Sequence, residues 1–466
     1  MTVSMNWISR RSVLTSKTIV IATLVSLLLW SLTRVKLESA LDILDLLPRP
    51  SPSPSSSHLS SVAYMDSKDG LQQHPFLSPE AGPSSSSSAS YNYTLPFHTR
   101  GRYILDAQDQ RVKLASINWY GGSDEDFVPS GLDLQHRDGI AALICDLGFN
   151  SVRLPYSDEM VRDNPLIPAS RLAANRDLIN PETGGAPARD VFTAVVESLT
   201  NAGLLVIVNN HITQATWCCG ANPCDAGWAN DWFGGKLFCR VSQTSEEWIE
   251  HWETVMRPLA DNPRVIGVDL RNEPRGLWGT LHWDDWVVAA ERAAERLLAL
   301  NPNWLIIVEG ISSANDLSGV RTRPVRLPPP FAADRVVYSA HVYSWSGWGE
   351  LYPYSRRTYK DFVASMRKNW AYLLEEDIAP VWVGELGTPD RPTEGDRNYW
   401  THLVAFLCET DASWGYWALN PRKPAGNEWE SYGLVGDNWD RASVRWDYRL
   451  ADMRRLGLRP SIAPTH

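Results

Sequence analysis

From about residue 100 onward, short apolar runs recur at intervals, each bounded by polar turn residues. The stretch RYILDAQDQRVKL comes first; its two alternating arms around a polar turn predict a β-hairpin. Eight strand candidates follow: 114–119 (LASINW), 151–155 (SVRLP), 204–210 (LLVIVNN), 264–270 (RVIGVDL), 303–310 (NWLIIVEG), 335–341 (RVVYSAH), 380–385 (PVWVGE) and 413–419 (SWGYWAL). Amphipathic stretches such as DGIAALICDLG and WDDWVVAAERAAERLLAL separate them. Strands alternating with helices imply a parallel sheet covered on both faces. Eight such strands close into an α/β fold of the (β/α)8 TIM-barrel type. A doubly wound open sheet is the alternative, but no glycine-rich dinucleotide turn follows the first strand.

The pattern upstream is different. Thr18 to Thr33 (TIVIATLVSLLLWSLT) is apolar, with Arg10, Arg11 and Lys17 before it and Arg34 and Lys36 after it. Its length is marginal for a spanning helix, and no small-residue cleavage site follows closely. The expectation is a short basic segment (1–17) and an uncleaved signal anchor (18–33) with its basic end inside, so a single-pass type II membrane protein. A cleaved signal peptide and secretion are the alternative. Either way the remainder is extracytoplasmic. A Ser/Pro-rich stalk (34–97) has too few apolar residues to offset the entropy of ordering, and Asn92-Tyr93-Thr94 is a glycosylation sequon at its end. The barrel is expected over 98–458, with a short tail at 459–466.

A net charge of -10 over 466 residues argues against nucleic acid or an anionic surface as the main partner. Twenty-two tryptophans are expected to divide about evenly between the core and surface platforms of the kind that stack on sugar rings. Of six cysteines, Cys218, Cys219, Cys224 and Cys239 are close enough for two local disulfides, with three pairings open. A zinc site is the weaker alternative, since adjacent cysteines fit a knuckle poorly. Cys145 and Cys408, in apolar helical contexts, are expected as buried free thiols.

In a TIM barrel the chemistry sits where the strands end. Those ends carry Asn118 and Trp119; Arg153; Asn209, Asn210 and His211; Arg271, Asn272 and Glu273; His341 and Tyr343; Glu385; and Trp417. Any one of them is ordinary: a lone histidine is more often structural, a lone arginine an ion-pair residue, a lone tryptophan core. So many polar and aromatic groups converging on one mouth are hard to explain as packing. RNEP with Glu273, HVY, and VWVGELG with Glu385 resemble glycoside hydrolase family 5, over roughly residues 100–455. The family pattern is matched in order by Arg153, His211, Asn272, Glu273, His341, Tyr343, Glu385 and Trp417.

The resemblance implies retaining hydrolysis of β-glycosidic bonds, with Glu385 as nucleophile and Glu273 as general acid/base. Such chemistry needs carboxyl groups about 5–5.5 Å apart. Arg153 and Tyr343 are expected to support the charge of Glu385, and Asn272 to bind the sugar 2-hydroxyl. His211 and His341 would bind hydroxyls or orient the carboxylates, and Trp417 would floor the glycone site. Trp217, Trp228, Trp232, Trp345 and Trp348 are candidate outer platforms, Asp124, Glu125 and Asp126 a solvated acidic loop, and Glu309 carries no assigned role. With no HExxH or EF-hand loop, neither metal nor cofactor is expected. A cellulase-like endo-β-1,4-glucanase, acting as a monomer on a β-linked oligo- or polysaccharide, is the leading expectation. An exo-β-glucosidase, a glycolipid β-glucosidase or a β-mannanase fits the same residues. A lapsed carbohydrate-binding barrel is the non-enzymatic alternative.

Overall fold

The computed structural model describes residues 93–462, apart from 220–221, 233–234, 277–278, 332, 348–352 and 425–427. The expected anchor at 18–33, the stalk up to residue 92 and the platform candidate Trp348 therefore lie outside the described residues. Among those described, no helix is long and apolar enough to cross a membrane.

β1 (His98–Arg100), β2 (Tyr103–Leu105) and β3 (Arg111–Val112) form a small antiparallel sheet that includes the predicted hairpin. β4 (Ala115–Asn118) and β5 (Ser151–Ser157) open the barrel. β6 (Leu166–Pro168) and β7 (Gly185–Pro187) make an antiparallel pair within the next crossover, unannounced by any alternation. β8 (Leu205–Ile212), β9 (Val265–Asp269), β10 (Leu305–Glu309), β11 (Val336–Val342), β12 (Val381–Leu386) and β13 (Ser413–Tyr416) complete the circuit. Parallel pairing of β13 with β4 closes the (β/α)8 barrel. Each predicted run overlaps one barrel strand, but β13 stops at Tyr416, so Trp417 begins the following loop.

Helices cover the outside because their apolar positions recur every three or four residues. Ser245–Met256 starts at a Thr244–Glu247 capping box and buries Trp248, Ile249 and Trp252. Trp283–Leu300 buries Trp286, Ala290, Ala293 and Leu297, and Arg296 bridges the two helices through Glu246 and Glu253. At the N-terminal end of the barrel, Phe97, Ile104, Val112 and Leu114 pack against Leu205, Ile266, Leu305 and Val337, so the β1–β3 sheet caps that end. Trp382 is fully buried in the same cluster. It fits because two neighbours are glycines: a Cβ at Gly384 would meet its ring at 3.1 Å, and one at Gly415 at 3.2 Å.

The four clustered cysteines pair as Cys218–Cys219 and Cys224–Cys239. The two free cysteines differ from expectation: Cys145 is half-buried and Cys408 is exposed. Cys408 lies off the face of helix Glu394–Thr410 that buries Trp400, Leu403, Val404 and Leu407.

Candidate active site

Successive side chains of a strand point to opposite faces, and the inward series changes character along the barrel. In β10 it runs Leu305, Ile307, Glu309; in β8, Leu205, Ile207, Asn209, His211; in β11, Val337, Ser339, His341. The same stripe that fills the floor becomes polar at the mouth.

Arg153 is the hub. Its Nε donates to Asp269 Oδ2 (2.7 Å), and Nη1 donates to Glu385 Oε1 (2.5 Å) and Asn118 Oδ1 (3.0 Å). Its Nη2 donates to Asn272 Oδ1 (2.8 Å) and Glu309 Oε1 (3.0 Å). Burial opposes its charge, but Asp269, Glu385 and Glu309 outweigh that and hold the guanidinium more firmly protonated than usual. The Tyr343 hydroxyl donates to the other oxygen of Glu385, Oε2 (2.9 Å). Both carboxylate oxygens thus have a fixed donor.

His341 sits between three carboxylates. Nδ1 lies 3.1 Å from Glu273 Oε1 and 3.7 Å from Glu385 Oε2, while Nε2 lies 3.4 Å from Glu309 Oε1. Burial opposes protonation of this imidazole, yet Glu309 and Glu385 push its pKa well above the ordinary value. Glu309 is correspondingly pulled down to about 2, against its burial, by His341 and Arg153. Burial raises the carboxyl of Glu273 above the usual range; His341 opposes the rise, and Glu385 and Glu309 add to it.

Glu273 has a left-handed backbone, φ 47°, a conformation costing a non-glycine residue about 1–3 kcal/mol. Glu309 Oε2 accepts its N–H at 2.7 Å and holds the turn. His211 is neutral: burial, Arg153 and His341 depress its pKa well below the ordinary range. Its Nδ1 lies 2.9 Å from Asn209 Oδ1; an amide oxygen only accepts, so Nδ1 carries the proton and Nε2 is the acceptor. Trp417 stacks on His211 (5.4 Å, 13°) and on Tyr120 (5.1 Å, 14°).

His211, Asn272, Glu273, Tyr343, Glu385 and Trp417 line one cleft of about 270 Å³. Arg153 and His341, expected among the substrate-binding residues, lie fully buried beneath it and touch the glutamates instead. Glu273, His341 and Glu385 bring ligand-type atoms within 4.8 Å of one another. That spacing would suit a divalent cation, but Arg153 and His341 already supply positive charge there. A larger hollow of about 570 Å³, beside Arg171 and Trp439, contains none of the eight predicted residues.

Several residues in the cleft or beneath it escaped the sequence pattern. Asp269 and Glu309 close apolar strands at inward positions, a signal readable only once the inward series is known. Lys423, Glu430 and Tyr432 come from the loop after β13. Among the candidate platforms, Trp217 and Trp345 line the cleft, and Trp345 stacks on Tyr343 at 4.9 Å. Trp228 instead packs against Trp248 and Trp286, and Trp232 is exposed outside the cleft. Asp124 is not solvated as expected: it is buried, its Oδ1 accepts the Asp126 N–H, and burial raises its pKa well above the usual range.

The cellulase model (glycosyl hydrolase family 5) matches residues 105–423. An endoglucanase of Paenibacillus polymyxa is 28% identical, covering 79% of this chain and 88% of its own length. A glycosyl hydrolase 5 family protein of Chamaecyparis obtusa is 29% identical over 81% of this chain and 69% of its own. The catalytic domain of the major endoglucanase of Xanthomonas campestris superposes with a TM-score of 0.62 at 25% identity, over 77% of this chain and 99% of that one. A hyperthermophilic endocellulase of Pyrococcus horikoshii, 22% identical, shares the fold with a TM-score of 0.62, covering 78% and 100%. With its barrel, its cleft and a family match across most of its length, the chain belongs to glycosyl hydrolase family 5, the cellulase family, and is a glycoside hydrolase.

Proposed function

We propose that the protein is a retaining endo-β-1,4-glucanase in which Glu385 is the nucleophile and Glu273 the general acid/base. The observation that carries this reading is the approach of a Glu273 oxygen to a Glu385 oxygen within 4.8 Å. Inverting enzymes separate their carboxyl groups by about 6.5–9.5 Å to admit a water between them. Glu385 attacks the anomeric carbon as Glu273 gives its proton to the departing oxygen. Water, deprotonated by Glu273, then displaces Glu385 from the glycosyl-enzyme. Asn272 binds the 2-hydroxyl, His211 Nε2 accepts from another hydroxyl, and Trp417 carries the glycone ring.

The endoglucanase names of the Paenibacillus and Xanthomonas relatives favour an internal cut in a β-1,4-glucan. Trp217 and Trp345, both partly exposed at the rim, supply further stacking surfaces for a polymer. Hydrolysis of carboxymethylcellulose, laminarin, mannan and a β-glucosylated lipid, read as reducing ends and viscosity, tests the choice. Rapid loss of carboxymethylcellulose viscosity is expected; turnover confined to mannan, to the lipid or to terminal glucose would replace the glucanase reading. The domain belongs outside the cytosol as a monomer, held by an anchor at 18–33. The Cys224–Cys239 disulfide supports that location, and cell fractionation of the full chain checks it.

Changing His341 to asparagine removes the cation that lowers the Glu273 pKa. The acid works only while protonated, so activity is lost as pH rises through that pKa. With the cation gone the pKa rises further, and the alkaline limb of kcat/KM should move to higher pH. A limb that stays fixed or moves down would remove Glu273 as its source.

A further inference from the structure

We propose that the rim of the catalytic pole, outside the cleft, binds the surface of an insoluble β-glucan. Trp429 on one loop, and Trp232 with Phe238 on another, are the contact points. This rests on the reading of the protein as a glucanase and extends it to chains that the cleft does not hold. Among the described residues the exposed tryptophans are Trp217, Trp232, Trp345 and Trp429, and each lies on a loop that follows a barrel strand. Those loops share the end of the barrel where the cleft opens. Trp217 and Trp345 line the cleft, whereas Trp232 and Trp429 do not. Phe238, 79% exposed, joins Trp232 on the loop after β8.

The exposed rings are held in place. The Trp429 indole N–H donates to Asp390 Oδ2 (3.0 Å), and the Arg445 guanidinium carbon lies 3.6 Å from the ring centroid. Arg445 is itself anchored on the carbonyls of Glu430, Gly433 and Pro421. Even so, Trp429 stays 43% exposed. Trp232 lies against Gly235, where a Cβ would meet its ring at 3.7 Å, and its carbonyl accepts the Gly235 N–H (2.8 Å). That glycine opens the short helix Gly235–Phe238, which Cys239 then ties to Cys224. Groups fixed before contact lose little freedom on binding, and apolar groups left exposed together on a monomer mark interaction sites.

The two loops point to the occupant, because both already touch the substrate cleft. The loop after β8 sends Trp217 and Cys219 into it, and the loop after β13 sends Lys423, Glu430 and Tyr432. In the barrel β4 and β5 separate β13 from β8, so the two exposed groups stand at separate points of the rim. An insoluble glucan is built of aligned chains, so a chain entering the cleft brings its neighbours against that rim. Indole and phenyl rings offer flat apolar planes to the C–H faces of those sugars. A net charge of -10 disfavours an anionic lipid surface in their place.

Rim and cleft separate experimentally. In the full chain carrying Glu385→Ala, which should hold polymer without cutting it, adsorption to microcrystalline cellulose is read by depletion. Adding Trp429→Ala, or Trp232→Ala/Phe238→Ala, should weaken adsorption about two- to tenfold per ring removed, the scale of an aromatic contact. Adding Phe238→Trp, which keeps a flat ring, should not weaken it. With Glu385 restored, the same alanine variants should lose activity on dilute insoluble cellulose and keep the parent's kcat/KM for dinitrophenyl β-cellobioside. Unchanged adsorption would overturn the proposal, as would equal losses on both substrates or a loss shared by Phe238→Trp. So would a wild-type dimer in sedimentation that Trp232→Ala/Phe238→Ala dissociates, since the patch would then join two copies. Wild-type protein that hydrolyses no β-1,4-glucan would sink the glucanase reading; normal hydrolysis with unaltered adsorption would sink only the rim.

Discussion

Glu385→Ala is expected to lower turnover of cellulosic substrates by on the order of 10⁴-fold or more, because under the proposed mechanism the first displacement loses its attacking atom. The substitution leaves the Arg153 guanidinium and the Tyr343 hydroxyl aimed at a small empty space. Azide fits that space and carries the missing negative charge. Adding it should restore cleavage of an activated aryl cellobioside, with the α-glycosyl azide as product, since a single displacement inverts the anomeric carbon. Nuclear magnetic resonance of the product decides the matter. An unaffected variant, or rescue that yields the β-azide, would remove Glu385 from the nucleophile's place.

Glu273→Ala should divide substrates by their leaving groups. Positioned acid or base catalysis contributes about 10²–10⁴-fold, and cellotetraose, whose departing alkoxide needs a proton, should lose that amount. Dinitrophenolate departs without help, so a dinitrophenyl cellobioside should still react with Glu385 in a rapid burst. The glycosyl-enzyme should then accumulate, because water lacks its base, and mass spectrometry should find the adduct on Glu385. Azide should release it as the β-azide, opposite to the product from Glu385→Ala. Two variants giving the same azide anomer would contradict the division of roles.

The barrel was legible because its strands are short apolar runs spaced by longer amphipathic helices, and run length together with period distinguishes the two. The six residues His211, Asn272, Glu273, Tyr343, Glu385 and Trp417, which the structure brings to one cleft, stood in the sequence as part of an ordered set. The charge arrangement beneath them was not legible. Glu309 ends a run that reads as core, and only the closed barrel brings it to Arg153, His341 and the Glu273 N–H together. The same holds for Asp269, which meets Arg153 across a separation of 116 residues. Pairing of the four cysteines needed three dimensions, and so did the burial of Asp124. Its neighbours Glu125 and Asp126 gave the segment the composition of a solvated loop, while exposure depends on what the chain elsewhere lays over it.

The β1–β3 sheet has a mechanical meaning. Because it caps the N-terminal ends of the strands, the polypeptide enters this domain at the pole opposite the cleft. A bead or a fused partner joined directly to the first described residues therefore meets the domain at that pole. Coupling at Tyr93 accordingly leaves the mouth of the barrel, with Glu273 and Glu385, at the other pole.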